Sequence, residues 1–138
     1  MSLKSNQQLA LHRLVRANSD LADATLLLEH ERWKSAVNRM YYACFHAVSA
    51  YLALQEINTA THNGVKSNFN QLLIKSGLLA RAHGATYNGL LELRQDADYD
   101  DYSTIEGEDV VYYLEQAAVL VAALGALVRH EIEKSDAT

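Results

Sequence analysis

Apolar side chains recur along this chain at spacings of three and four residues, and no segment alternates as a strand would. Trp33 to Leu54 carries two such stripes side by side. One is Ala36, Met40, Ala43, Ala47, Ala50 and Leu54; the other is Val37, Tyr41, Cys44, Val48 and Tyr51. A helix apolar on more than one side must be covered on more than one side. This helix is therefore expected at the centre, enclosed by other segments or closed by a second subunit. Upstream, Leu11, Leu14, Val15, Asn18, Leu21, Ala22, Thr25 and Leu28 predict one helix from about Asn6 to His30. Its other face, with Arg13, Asp20 and Asp23, is expected to be solvated. A turn is expected near Glu31 to Lys34, and the central helix ends near Gln55 to Asn58.

The polar stretch NTATHNGVKSN follows, with Thr61 or Asn63 as the cap of a third helix. That helix buries Val65, Phe69, Leu72 and Leu73, and Gly77 suits the left-handed residue after its end. A fourth helix runs from about Ala80 to Ala97, with Tyr87, Leu90, Leu91 and Arg94 near one face. Gly84 and Gly89 either weaken it or mark close approach to a neighbour. The acidic stretch DADYDDYSTIEGED comes next, where Ser103 and Glu106 fit a capping box. The last helix aligns Val110, Leu114, Ala117, Ala118, Val121, Leu124 and Val128. Arg129, His130 and Lys134 suit the negative pole at its end.

The sequence contains no proline and only 6 glycines in 138 residues, which favours long helices with short connections. The fold class is all-α: an antiparallel up-and-down bundle of about five helices, one domain over residues 1–138, frayed at 1–5 and 134–138. The net charge of -5 argues against a generic nucleic-acid coat but leaves room for a local basic site. The single cysteine, Cys44, lies on an apolar stripe and reads as a buried thiol in a reducing compartment. Met1 to Asn18 is too polar for a signal peptide, and no apolar run approaches the ~20 residues of a membrane span. Leu114 to Val128 comes closest. The expected location is cytoplasmic, with no membrane association.

Few residues stand out chemically. Arg94 and Asp98 are four apart, which supports either a plain i,i+4 ion pair or a planar guanidinium held for phosphate. Asp96, Asp98, Asp100 and Asp101 are oxygen ligands in type, but they lack the glycine and terminal glutamate of a calcium loop and read as a solvated corner. His62 sits in a polar connection and titrates near neutral pH. His46, on an apolar helix, reads as a hydrogen-bonded core histidine. No zinc spacing, Gly-rich phosphate loop or Cys/His nucleophile pair is present, so no metal or cofactor is expected. Asn38, Arg39, Tyr41 and Tyr42 interrupt the central helix. The two tyrosines, about 100° apart, are expected to face different neighbours.

NRMYYACFHAVSAYL resembles the Tyr-Tyr-Ala helix of HEPN domains, and LRQDADY resembles their downstream Arg-x-x-Ala-Asp-Tyr block. His62 and Phe69 between them also fit, and the likeness is to small stand-alone proteins of the UPF0332 type over roughly Leu21 to Val128. The resemblance implies a five-helix bundle paired as a homodimer. It also implies a role in binding nucleotide or RNA, within a toxin–antitoxin or nucleotidyltransferase-associated pair. Many family members resemble ribonuclease toxins whose motif is an Arg, four to six residues, then a His. Arg94 matches the Arg, and Tyr99, Asp100 and Asp101 occupy the three places open to the His. The resemblance thus makes Arg94, Tyr99 and His62 the catalytic candidates of a metal-independent ribonuclease. Arg94, Asp98, Asn38, Arg39 and Tyr42 are the candidates for binding without cleavage. A tyrosine has an ordinary pKa near 10, far from what a general base needs at neutral pH. The third reading is a non-catalytic protein-interaction module in which Arg94 and Asp98 only brace a helix.

Overall fold

The computed structural model describes residues 2–99 and 105–136. Helices α1 (Ser5–Glu29), α2 (Trp33–Leu54), α3 (His62–Phe69), α4 (Arg81–Tyr99) and α5 (Gly107–Asp136) make up the described residues, without a strand among them. Antiparallel pairing of α1 and α2 follows from three cross-links along their length. Asn6 Nδ2 donates to Leu54 O, Arg13 Nη1 to Ser49 O, and Arg39 to Asp20. Four long helices alternate in direction, and α3 sits in the connection between α2 and α4. The chain is an all-α bundle, as its periodicity implies.

The core is built around α2, which buries both expected stripes, from Ala36 and Val37 through Tyr51 and Leu52. Cover for it comes from α1, α5, α4 and α3 of the same chain, so no second subunit is needed to close it. On α1 the buried face is Gln7, Ala10, Leu14, Ala17, Asp20 and Ala24. This corrects the expected stripe: Val15, Asn18, Ala22 and Thr25 are exposed, and Asp20 is 8% exposed rather than solvated. The physical reason is the alanine series 10, 17 and 24. Small side chains let the α1 backbone lie close on α2, and that contact outweighs the pull of a single valine. Arg13 is half-buried because its guanidinium reaches the Ser49 carbonyl.

Helix ends follow local chemistry. Thr61 Oγ1 caps α3 by accepting from Gly64 N at 3.0 Å. After Phe69 the helix widens into a π-helical turn over Asn70–Lys75, which leaves Leu73 buried but Leu72 38% exposed, against expectation. Gly77 adopts the left-handed φ of 81°. The turns after α1 and α2 use glutamates instead: Glu31 at φ 56° and Glu56 at φ 57°. Arg32 N and Ile57 N then bond back to Leu27 O and Leu52 O, closing Schellman-type ends. Both α4 glycines mark close approach. A Cβ on Gly84 would meet the Ile74 side chain at 3.3 Å, and one on Gly89 would strike the Tyr113 ring.

Helix α5 buries Val110, Ala117, Leu120, Val121, Leu124 and Val128, while Ala118 of the expected stripe is exposed. By length and composition alone it is apolar enough to cross a membrane, contrary to the expectation that no run qualifies. Along one side it packs on α2 and α1. The helix continues through Asp136. The proposed cap at Ser103 lies outside the described residues.

Candidate functional site

An aromatic patch midway along α2, at Tyr41, Tyr42 and Phe45, forms the candidate site. Tyr41 and Tyr42 are successive residues, yet their rings meet edge-on at 5.3 Å between centroids. They share neighbours, contrary to the expectation from helical angle. His62 stacks on Tyr41 and meets Tyr42 edge-on, and Arg94 Cζ lies 5.0 Å from the Tyr41 ring centre and 5.5 Å from that of Tyr42. Large rings and a long guanidinium stem reach sideways from their helices, so 100° of rotation does not separate them. Tyr87 from α4 and Phe69 from α3 close the cluster from below.

Arg94 is only 16% exposed along its side chain. Its Nε stands 3.5 Å from Asp98 Oδ2, close enough for charge attraction, but the nitrogen has no hydrogen-bond partner among the described residues. The i,i+4 pair expected from spacing thus exists, and among the described residues no other acceptor takes the guanidinium. A planar cation with open donors, seated on aromatic faces, suits a phosphate or carboxylate group.

His62 is the first residue of α3, placed by the Thr61 cap. Its Nδ1 lies 2.7 Å from Tyr41 Oη. Burial, and then the charge of Arg94, push its pKa below the ordinary value. The imidazole is therefore neutral near pH 7, with one ring nitrogen held by the tyrosine. Burial drives the Tyr41 and Tyr87 phenols above their ordinary value, so both remain protonated.

Beside this cluster a groove of about 470 Å³ is lined by Leu27, Lys34, Ser35, Asn38, Arg39, Ala97 and Asp98. Arg39 Cζ lies 5.2 Å from the centre of the Tyr42 ring. Its Nη2 donates to Asn38 Oδ1 at 2.9 Å and its Nη1 to Asp20 Oδ1 at 3.1 Å. The second oxygen of Asp20 lies 2.8 Å from His46 Nδ1. Burial lowers the His46 pKa, with Asp20 opposing the shift. His46 is thus hydrogen-bonded, as expected, but by a residue the sequence reading put on the solvent side.

The fold brings together Arg94, Asp98, Asn38, Arg39, Tyr42 and His62. Tyr99 ends α4, but its side chain, with Asp100 and Asp101, lies outside the described residues. Among the described residues no group of three His, Cys, Asp or Glu side chains is placed to hold a metal ion. Asp20 and Lys34 were not among the candidates, and Tyr41 was singled out without a role at the site. The alanines at seven-residue spacing around Asp20 were the available signal for it.

The HEPN domain family profile matches residues 10–127. A "UPF0332 protein" of Thermotoga maritima is 38% identical over 113 residues, covering 82% of this chain and 86% of that one. Two Methanocaldococcus jannaschii proteins are 32% identical. One, named "Putative toxin MJ0605", aligns over 72% of this chain and 75% of its own length. The other, named "Putative toxin MJ0142", aligns over 80% and 76%.

Proposed function

This chain belongs to the HEPN domain family, and from that premise we propose that it binds the phosphate of an RNA or nucleotide at Arg94. Its setting would be a toxin–antitoxin or nucleotidyltransferase-associated pair, a reading supported by the toxin names of two relatives. The observation that carries the proposal is the Arg94 guanidinium. It is largely buried on two tyrosine faces, yet its Nε has no hydrogen-bond partner among the described residues. The side chain keeps 16% of its surface exposed, and a planar cation held on aromatic faces can meet an anionic group there. Asn38, Arg39, Tyr42 and Asp98 frame the approach. In this reading the protein is a cytoplasmic homodimer, and the exposed Val111, Tyr112 and Val119 of α5 are apolar surface for a second copy to cover. Light scattering at tens of micromolar tests the dimer; only monomer would remove it.

Binding is tested by titrating a labelled RNA oligonucleotide and adenine nucleotides into wild type and Arg94→Ala. Equal affinity for both proteins refutes the assigned site. If neither protein binds, the interaction-module reading takes its place, and capture of a partner chain becomes the measurement.

A second reading, metal-independent RNA cleavage, is favoured by the neutral His62 held beside Arg94 by Tyr41. A neutral imidazole can accept the proton of an attacking 2′-hydroxyl while the guanidinium holds the phosphate. RNA loss in EDTA that vanishes in both His62→Ala and Arg94→Ala supports it. Intact RNA with wild type retires it and leaves the binding reading in place.

A further inference from the structure

Asp20 presents a puzzle of cost. It is 8% exposed, on the α1 face that Ala17 and Ala24 seat against α2. A carboxylate in such a seam loses hydration, and a buried ion pair often stabilises a fold no better than apolar residues of the same volume. The α1–α2 seam has other ties, from Asn6 to Leu54 O and from Arg13 to Ser49 O. Asp20 also holds Arg39 across the seam from α2. One oxygen takes Arg39 Nη1, the other is fixed by His46 Nδ1, and Asn38 takes Arg39 Nη2. The guanidinium so held stands over Tyr42, whose ring Arg94 also approaches. It borders the groove that contains Lys34 and keeps 36% of its side chain exposed.

We propose that the site takes two neighbouring phosphates, one at Arg94 and one at Arg39, and that Asp20 is the positioning residue for the second grip. The proposal rests on the phosphate-binding reading of Arg94. Both guanidinium carbons lie within 5.5 Å of the Tyr42 ring centre, Arg39 has N–H donors beyond the two it gives to Asp20 and Asn38, and a planar fork held in place loses little entropy when it grips an anion. The ligand class is therefore a strand or nucleotide with adjacent phosphates, rather than a monophosphate.

Charge and positioning predict opposite signs for Asp20, which makes the proposal testable. Coulomb attraction alone says that removing a carboxylate near an anion site strengthens binding. Positioning says that it weakens binding, because Arg39 is released. The experiment is calorimetric titration of the full chain with AMP, ADP and the 5′-phosphorylated ribodinucleotide pApA. Wild type is expected to bind pApA about tenfold more tightly than AMP, the value of one charge-assisted hydrogen bond. Arg39→Ala removes that advantage. Asp20→Ala does the same despite its lost negative charge. Arg39→Lys, which keeps the charge without the fork, recovers only part of the advantage. ADP matching pApA assigns a pyrophosphate; a gain confined to pApA assigns an RNA strand.

Asp20→Ala binding pApA as tightly as wild type, or more tightly, overturns the positioning role. If Asp20→Ala does not fold, Asp20→Asn and the two Arg39 variants decide the matter. Equal affinity for pApA and AMP, with Arg39→Ala without effect, overturns the second grip while Arg94 keeps its role. Probes that bind Arg94→Ala as well as wild type, or bind neither, overturn the Arg94 reading and this inference with it.

Discussion

Replacing Arg94 by methionine should leave the fold nearly as stable as before, while abolishing stabilisation by ligand. Methionine keeps most of the side-chain volume against Tyr41 and Tyr42, so no large cavity opens. The substitution loses two cation–π contacts, worth about 0.5–2 kcal/mol each depending on desolvation. It also loses the attraction to Asp98, a few tenths of a kcal/mol for a pair whose acidic side chain is a third exposed. Against this, it removes a buried Nε with no hydrogen-bond partner among the described residues, a penalty of about 1–3 kcal/mol. Taken at their central values these contributions leave a net loss of about 1 kcal/mol. Urea unfolding of wild type and Arg94→Met at pH 7 measures it. Adding an RNA oligonucleotide at about 100 times its dissociation constant should raise wild-type stability by about 2.7 kcal/mol and leave the variant unchanged. If Arg94→Met alone loses more than about 3 kcal/mol, the guanidinium is a structural brace and the argument from its unspent donors fails.

Four further outcomes follow from particular contacts. A Cβ on Gly64 would collide with the Thr59 and Thr61 hydroxyls, so Gly64→Ala should disrupt the α3 cap, cost about 1–3 kcal/mol, and alter the His62 proton signals in NMR. Unaltered His62 signals would show that the cap does not position the ring. Cys44 is buried with its thiol pushed up to about 12, so native protein at pH 8 should not react with a thiol reagent until denaturant is added. Prompt labelling of folded protein would contradict its burial. His46 and His62 both have folded pKa values below the unfolded one, so the unfolded chain binds more protons and stability falls as pH drops below the ordinary histidine value. Melting temperature should therefore decline between about pH 7.5 and 5.5, and His62→Gln should flatten the decline; an unchanged slope would exclude the His62 contribution. Glu56 holds a left-handed φ that glycine adopts freely, so Glu56→Gly should stabilise by up to about 1 kcal/mol in thermal melts, and a lowered melting temperature would count against strain there.

How much of this was legible beforehand varies by residue. Gly77 announced itself and Thr61 was one of two caps on offer, because a hydroxyl cap and a left-handed glycine are local devices whose partners lie within a few residues. The turn at Glu31 was poorly marked for the converse reason: a glutamate occupies the position where glycine is the usual signal. Arg94, His62, Asn38, Arg39, Tyr42 and Asp98 were all picked out one by one. That they stand around one pair of rings, and that Asp20 reaches across to Arg39 and His46, could not be read from spacing.

Periodicity alone determined the helices, their order, and the central place of α2, because burial follows a 3.6-residue repeat wherever a helix must hide one side from water. Tertiary structure decided which way α1 is turned. Seven-residue alanines beat a larger but less close-fitting stripe, and that rotation carries Asp20 inward. It also decided that Tyr41 and Tyr42 act on the same neighbours, since side-chain reach across a packed interface overrides the angle at which residues leave their own helix. Contacts between helices depend on distances that no single helix contains, so the groove between Arg39 and Asp98 emerges only once the bundle has closed.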